Sequence, residues 1–220
     1  MKRKALGWFV AATLALPMVA QAIPVTWEFR GHATQVSNFP VPTPVGDSFQ
    51  VLLGFDTDAA VNFQSPAGRY VLFGNSLSMD IMFGNLGPFH IQYSDGGGSV
   101  IVRDNAQVGN TGPLMDGYSF VLDADDGNNR NTSASLILRD EILDLVNGPA
   151  LPATPDPRLE TLATRVFQIC RTTGPDDNDC SAGFYSGQIE SISAVPEPSS
   201  AALLALGLAG LVTAARRRKR

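Results

Sequence analysis

The sequence has few of the residue types that carry enzymatic or metal chemistry. Its 220 residues include two histidines, His32 and His90, and two cysteines, Cys170 and Cys180. It lacks a G-x-S-x-G nucleophile motif, an H-E-x-x-H zinc motif and a glycine-rich phosphate loop that opens a helix. A catalytic triad would have to use one of the two histidines, and nothing singles out a pair of catalytic carboxylates among the aspartates. These shortages predict a protein that is not an enzyme.

Lysine is missing from the whole interior of the chain. Its three lysines are Lys2, Lys4 and Lys219. Between Glu28 and Glu197 the basic residues are eight arginines. The same stretch holds all 21 acidic residues, so its formal charge is −13. A surface this acidic repels nucleic acid and anionic polysaccharide, which argues against nucleic-acid binding.

The N-terminus has the three parts of a secretory signal peptide. A cationic start of three residues, Lys2 to Lys4, precedes an apolar run over residues 5–19. Ala20 and Ala22 then fit the A-x-A cleavage pattern, which makes Ile23 the first residue of the mature chain. The sequence therefore predicts a signal peptide over residues 1–22, with an uncleaved anchor as the alternative.

The C-terminus consists of three physically different pieces in a fixed order. Pro196-Glu197-Pro198 is a rigid kink, because each proline fixes φ and lacks a backbone N–H. Residues 201–215 are uncharged and apolar, and as a helix they would be about 22 Å long, which spans a bilayer with local thinning. The last five residues are all basic and should stay in the cytoplasm: Arg216, Arg217, Arg218, Lys219 and Arg220.

This arrangement closely resembles the PEP-CTERM sorting signal of Gram-negative bacteria. The resemblance covers residues 195–220. It implies that a membrane enzyme, exosortase, recognises the motif (Val195, Pro196, Glu197 and Pro198), removes the tail and passes the body to the cell surface or the extracellular matrix. The inner membrane would hold the chain before that step. A plain C-terminal anchor is the alternative.

The body between these two signals has the pattern of β-strands. Val25, Trp27 and Phe29 alternate with polar residues, and similar short runs recur between turns rich in Gly, Asn, Asp and Pro. The prediction is an all-β ectodomain over residues 23–194, a single antiparallel β-sandwich of jelly-roll-like or Ig-like type, followed by one C-terminal transmembrane helix. Ile189 and Ile192 are three residues apart, which breaks the alternation and predicts a β-bulge.

Two segments of the body are harder to assign. Residues 149–157 are rich in proline, and we expect them to cross from one sheet to the other. Residues 158–167 have apolar residues at helical spacing but also several β-branched residues, which favours a strand over a short helix by a small margin.

The two cysteines are predicted to form a disulfide. An exported body meets an oxidising compartment, and Cys170 and Cys180 would close a loop of about ten residues. Two cysteines so placed are too few for a zinc site.

Two clusters of Asp and Asn, at residues 123–129 and 176–179, have the oxygen ligands that calcium prefers. The first cluster places its glycine one position early for a calcium loop and has Ala134 where the loop needs Glu. A solvated polar turn is therefore the favoured interpretation, and no cofactor is predicted.

The sequence as a whole predicts an exported surface or matrix protein with a structural or binding role. One rival is a carbohydrate-binding module with extracellular polysaccharide as its ligand. It would need an exposed row of the available rings: Trp27, Tyr70, Tyr93, Tyr118 and Tyr185. Trp27 is in phase with Val25 and Phe29, so it is predicted to lie in the core. A secreted hydrolase is the less favoured rival.

Overall fold

The protein is described by a computed structural model over residues 24–57, 63–64, 69–73, 77–84, 89–92, 98–107, 113–125, 131–141, 145–148, 150–172 and 180–196. Within these ranges the chain forms eleven β-strands and one short 3₁₀ helix, Pro157–Thr161. In chain order the strands are β1 Pro24–Ser37, β2 Ser48–Asp56, β3 Phe63–Gln64, β4 Arg69–Phe73, β5 Ser78–Phe83, β6 Phe89–Gln92, β7 Gly98–Gln107, β8 Leu114–Asp125, β9 Asn131–Asp140, β10 Thr164–Arg171 and β11 Gly183–Ala194.

All the described strands belong to one continuous antiparallel sheet. Their order across it is β3-β4-β7-β8-β9-β10-β11-β1-β2-β5-β6. The sheet curls on itself: the rings of Trp27 on β1 and Phe120 on β8 have centroids 6.0 Å apart, although three strands lie between β1 and β8. The all-β antiparallel prediction is confirmed. The predicted sandwich of two sheets is wrong. The described strands form one sheet, and its accumulated twist wraps the inner face around a common core.

Alternation decides which side chains enter that core. Along β2 the buried residues are Phe49, Val51, Leu53 and Phe55, with exposed or half-buried residues between them. Trp27 and Phe29 on β1 are fully buried, as their spacing predicts.

The predicted β-bulge is present where β1 pairs with β11. Arg30 lies opposite Ser191 and Gly31 lies opposite Ile189, so Glu190 is the extra residue on β11. The strands approach so closely here that a Cβ on Gly31 would lie 1.9 Å from the carbonyl oxygen of Gln188, and only glycine fits. The bulge lets both Ile189 and Ile192 point into the core while Glu190 stays exposed.

The proline-rich connection takes a different route from the expected crossing between sheets. β9 and β10 are direct neighbours, with Arg139 opposite Thr164, so the connection returns to the adjacent strand. On the way it folds over one end of the core and buries four aliphatic side chains: Val146, Leu151, Leu159 and Leu162. We call residues 145–148 and 150–163 the plug, and the end of the sheet that they cover the plug end.

The ambiguous segment at residues 158–167 contains both kinds of structure. Residues 157–161 form the 3₁₀ helix, and β10 begins at Thr164. The preference for a strand is therefore right for its second half and wrong for its first. Proline at the first helical position and Asp156 before it explain why the helix begins there.

The predicted signal peptide and C-terminal transmembrane helix lie outside the described residues. Among the residues that the structure does describe, no helix has the length and apolar character needed to cross a bilayer. The domain boundaries remain predictions; β1 begins at Pro24 and β11 ends at Ala194.

Candidate sorting site

The C-terminal motif leaves the body directly at the end of β11. Ala194 is the last residue of the strand and lies opposite Trp27 of β1. One residue further, the Val195 N–H donates to the Thr26 carbonyl oxygen at 2.9 Å. Pro196 is exposed and has no N–H to continue the ladder. The motif thus begins within one residue of the folded sheet, and its remaining residues, Glu197 and Pro198, lie outside the described part of the chain.

The plug holds the same end of β11 from its other side. A carboxylate oxygen of Glu160 in the 3₁₀ helix accepts a hydrogen bond from the Ile192 N–H at 2.9 Å. The indole N–H of Trp27 donates to the Ala153 carbonyl oxygen at 3.3 Å. The last residues of the body are therefore fixed both by β1 and by the plug.

Three aspartates from neighbouring strands hold the plug in place. Asp116 accepts hydrogen bonds from the Leu145 and Val146 N–H groups, the latter at 3.0 Å. Asp104 accepts one from the Gly148 N–H at 2.9 Å, and Asp140 accepts one from the Ala163 N–H at 2.8 Å. Backbone donors outside a strand need such partners when they are covered. Part of the acidic composition thus has a structural role that the sequence pattern did not predict; the available signal is Asp116, two residues before the strand pattern of residues 118–122.

Asp156 caps the 3₁₀ helix. It accepts from the Arg158 N–H at 2.8 Å and pairs with the Arg158 guanidinium at 2.7 Å. The hydrogen bonds from the Arg158 side chain and backbone lower the pKa of the Asp156 carboxyl below its ordinary value. The pair is exposed, so its contribution to stability is small.

The N-terminal junction leaves the sheet at the plug end too. Pro24, the first residue of β1, lies opposite Asp56, and Thr26 is the residue that binds Val195. The predicted cleavage residues Ala20, Ala22 and Ile23 lie outside the described residues, just before Pro24 in sequence.

The predicted disulfide between Cys170 and Cys180 is present. The two Cα atoms are 4.9 Å apart. Cys170 pairs with Ser133 of β9 and Phe184 of β11, which places the disulfide at the opposite end of the sheet from the motif. It ties the end of β10 to the segment that leads into β11.

The aromatic rings do not form an exposed row in the described part of the chain. Trp27, Tyr118 and Tyr185 are buried, and Tyr70 is half-buried against the core. Tyr93 lies outside the described residues. Trp27 is therefore a core residue, as predicted.

The outer face of β1, β2 and β11 carries a shallow depression of about 270 Å³, lined in part by Arg30, Gln50 and Glu190. Glu190, which lines it, is 2.9 Å from Nδ1 of His32, and Glu28 accepts hydrogen bonds from the lining residues Arg30 and Gln50. Among the described contacts, no serine hydroxyl is hydrogen-bonded to His32, as a catalytic triad would require.

Neither calcium candidate gains support from the described residues. They contain no group of three or more His, Cys, Asp or Glu side chains that could hold a metal ion. Asp123 is an exposed residue of β8. Residues 126–129 and the second cluster, at 176–179, lie outside the described part of the chain.

Comparison with known proteins identifies the C-terminal segment. Residues 194–219 match the PEP-CTERM protein-sorting motif, which confirms the resemblance. The chain is thus a protein that carries a PEP-CTERM sorting signal. Such a signal marks an exported protein that is processed by exosortase, a membrane enzyme, and destined for the cell surface. No curated protein and no solved structure matches the chain.

Proposed function

We propose that this protein is an exosortase substrate whose body is released to the cell surface or the extracellular matrix, where it has a structural or binding role without catalysis. The observation that carries the proposal is the position of the motif: every described strand ends before Val195. Removal of the tail would therefore leave the sheet, the core and the disulfide intact.

Each piece of the tail has its own part in this proposal. Pro196, Glu197 and Pro198 form the recognition element. Residues 201–215 hold that element at the outer surface of the inner membrane, and the basic residues 216–220 keep the chain end in the cytoplasm. The membrane attachment is an intermediate state that ends when exosortase cuts the chain.

A binding role would use the polar outer face of the sheet. The buried rings leave no described aromatic platform on which a sugar could stack. Extracellular polysaccharide, as the proposed partner of a matrix protein, would therefore contact hydrogen-bonding groups such as those of Arg30, Gln50 and Glu190 around the depression.

The test is the intact mass of the protein recovered from its native host, with the cell envelope and the medium analysed separately. We expect a chain that starts at Ile23, ends near Pro196 to Pro198 and is lighter by the two hydrogens of the disulfide. A mass that includes residues 201–220 in every fraction would contradict the sorting proposal and leave a plain membrane anchor.

A pair of variants makes this test specific for the motif. Glu197→Gln removes the charge between the two prolines and should leave the tail attached. Glu190→Gln, the same change at an exposed residue of the outer face, should be processed like the unaltered protein. Equal processing of both variants would show that the Glu197 carboxylate is not read.

A further inference from the structure

We propose that the plug end of the curled sheet is the surface by which the folded body docks on exosortase at the membrane. This inference rests on the proposed function, because it assumes that exosortase cuts within the motif. It adds which face of the body the enzyme meets and why it must meet it.

The first argument is the length of chain between the sheet and the membrane. Val195 is held to Thr26, and the apolar run begins at Ala201, six residue steps later. Fully extended, these steps span at most roughly 20 Å. The lipid headgroup layer takes about 5 to 8 Å of that distance. An enzyme that holds the motif therefore has the plug end within contact distance.

The second argument is that the body cannot easily release more chain. Loosening the end of β11 would break the hydrogen bond from Val195 to Thr26 and the one from Ile192 to Glu160. It would also expose Ile192, which is 8% exposed in the folded body. These losses act together, so the native sheet keeps the tether short.

The third argument is charge. The body is strongly acidic, and an acidic surface is repelled by anionic lipid headgroups. Within the plug, residues 145–155 include no charged residue, and the charged residues Asp156, Arg158 and Glu160 follow them. Ala150, Ala153 and Thr154 are exposed there, and the Ala153 carbonyl oxygen binds Trp27, the partner of Ala194. This uncharged stretch thus lies beside the point where the motif leaves the sheet, and it suits close approach to a membrane enzyme.

The test places two negative charges on this surface. Ala153→Glu with Thr154→Glu adds them at exposed side chains of the plug end. Ser37→Glu with Val45→Glu adds the same charge at the opposite end of the sheet, where both side chains are exposed. Ser37 ends β1, and Val45 is placed there by the hydrogen bond from the Gly46 N–H to the Ala33 carbonyl oxygen. In pulse-chase labelling of the native host we expect the plug-end variant to lose its tail roughly fivefold more slowly and the control to keep the unaltered rate.

A spacer variant shows whether the effect is one of access. Ten Gly and Ser residues between Val195 and Pro196 add roughly 17 Å of mean reach, which lets the enzyme work away from the sheet. We expect this insertion to restore the rate of the plug-end variant. Trp27 fluorescence of the recovered bodies checks that both double variants are folded.

The possible results separate this inference from the proposed function. Equal rates for the plug-end and control variants would overturn the docking surface while tail removal itself stands. A slow plug-end variant that the spacer does not restore would also overturn it, because the charge would then act elsewhere. An unaltered protein that never loses its tail would overturn the proposed function, and the docking surface with it.

Discussion

Tyr185 is the side chain on which the aromatic contacts of one half of the core converge. Its ring centroid lies 4.9 Å from that of Phe83, 5.6 Å from that of Phe39 and 5.9 Å from that of Phe167. The side chain is fully buried, and its hydroxyl has no hydrogen-bond partner among the described residues. The ring therefore contributes to stability through packing, and the hydroxyl contributes little.

This contrast predicts different costs for two substitutions of Tyr185. Tyr185→Phe should change the free energy of unfolding by less than about 1 kcal/mol, whereas Tyr185→Ala should lower it by about 3 to 5 kcal/mol. Urea unfolding of the oxidised body can be followed by Trp27, since the other tryptophan, Trp8, lies in the predicted signal peptide. A cost above about 2 kcal/mol for Tyr185→Phe would show that the hydroxyl is hydrogen-bonded.

Tyr118 gives the body a defined sensitivity to alkaline pH. Burial, with smaller contributions from the negative charges of Asp116 and Asp156, raises the pKa of Tyr118 to about 12 from 10.0. The folded state therefore keeps a proton that the unfolded state releases as pH rises. Stability is unaffected below pH 10 and falls by up to roughly 2 to 3 kcal/mol between pH 10 and 12.

Urea unfolding between pH 8 and 12 measures this loss, with tyrosinate absorbance as the second signal. In Tyr118→Phe the loss of stability should be smaller than in the unaltered body, because the contribution of Tyr118 is gone. Some loss should remain, because burial also raises the pKa of Tyr185. An identical fall in both proteins would show that Tyr118 does not contribute.

The plug is the element that separates this body from a bare curled sheet. It covers one end of the core, and its backbone N–H groups depend on carboxylates that belong to the sheet. Asp116 is 2% exposed and supports two adjacent plug residues, Leu145 and Val146. Loss of this one side chain should therefore weaken the whole cover.

Asp116→Ala should lower the free energy of unfolding by about 3 kcal/mol, because two covered N–H groups lose a charged acceptor. Asp123→Ala is the matched control, since Asp123 is an exposed aspartate of the same strand and should cost less than about 0.5 kcal/mol. Equal costs in urea unfolding would mean that the plug does not depend on Asp116.

The parts of this structure that follow from local pattern were predictable. β1 and β2 alternate apart from Leu52, the spacing of Ile189 and Ile192 indicates the bulge, and the two cysteines have only each other as partners. The sorting motif was also predictable, because its three pieces are contiguous and each has a distinct physical character.

The parts that depend on distant partners were not predictable. A strand of one curled sheet has the same alternation as a strand of a sandwich, so the number of sheets does not show in the sequence. Residues 145–155 of the plug have no periodicity, and the helical spacing of Leu159 and Leu162 does not show which surface they cover. The hydrogen bond from Val195 to Thr26 joins residues that are 169 positions apart.

At the scale of the whole molecule, β11 joins the two halves of the sheet. It pairs with β10 on one side and with β1 on the other, so the last strand of the chain lies beside the first. Without it, β1 and β2 would be separated from β8, β9 and β10. Core contacts between the two halves, such as that between Trp27 and Phe120, would then no longer be held by a continuous sheet.

This position predicts that the body folds only when β11 is complete. A chain ending at Ala182 lacks only β11, yet this strand connects β10 to β1 and carries the buried Tyr185, Ile189 and Ile192. It should show solvent-exposed Trp27 emission and no cooperative urea transition, whereas a chain ending at Val195 should show both a buried tryptophan and a sharp transition. A cooperative transition in the shorter chain would contradict the prediction. Because β11 ends directly before Val195, the proposed sorting route would have folding completed beside the membrane, and exosortase would meet the native sheet.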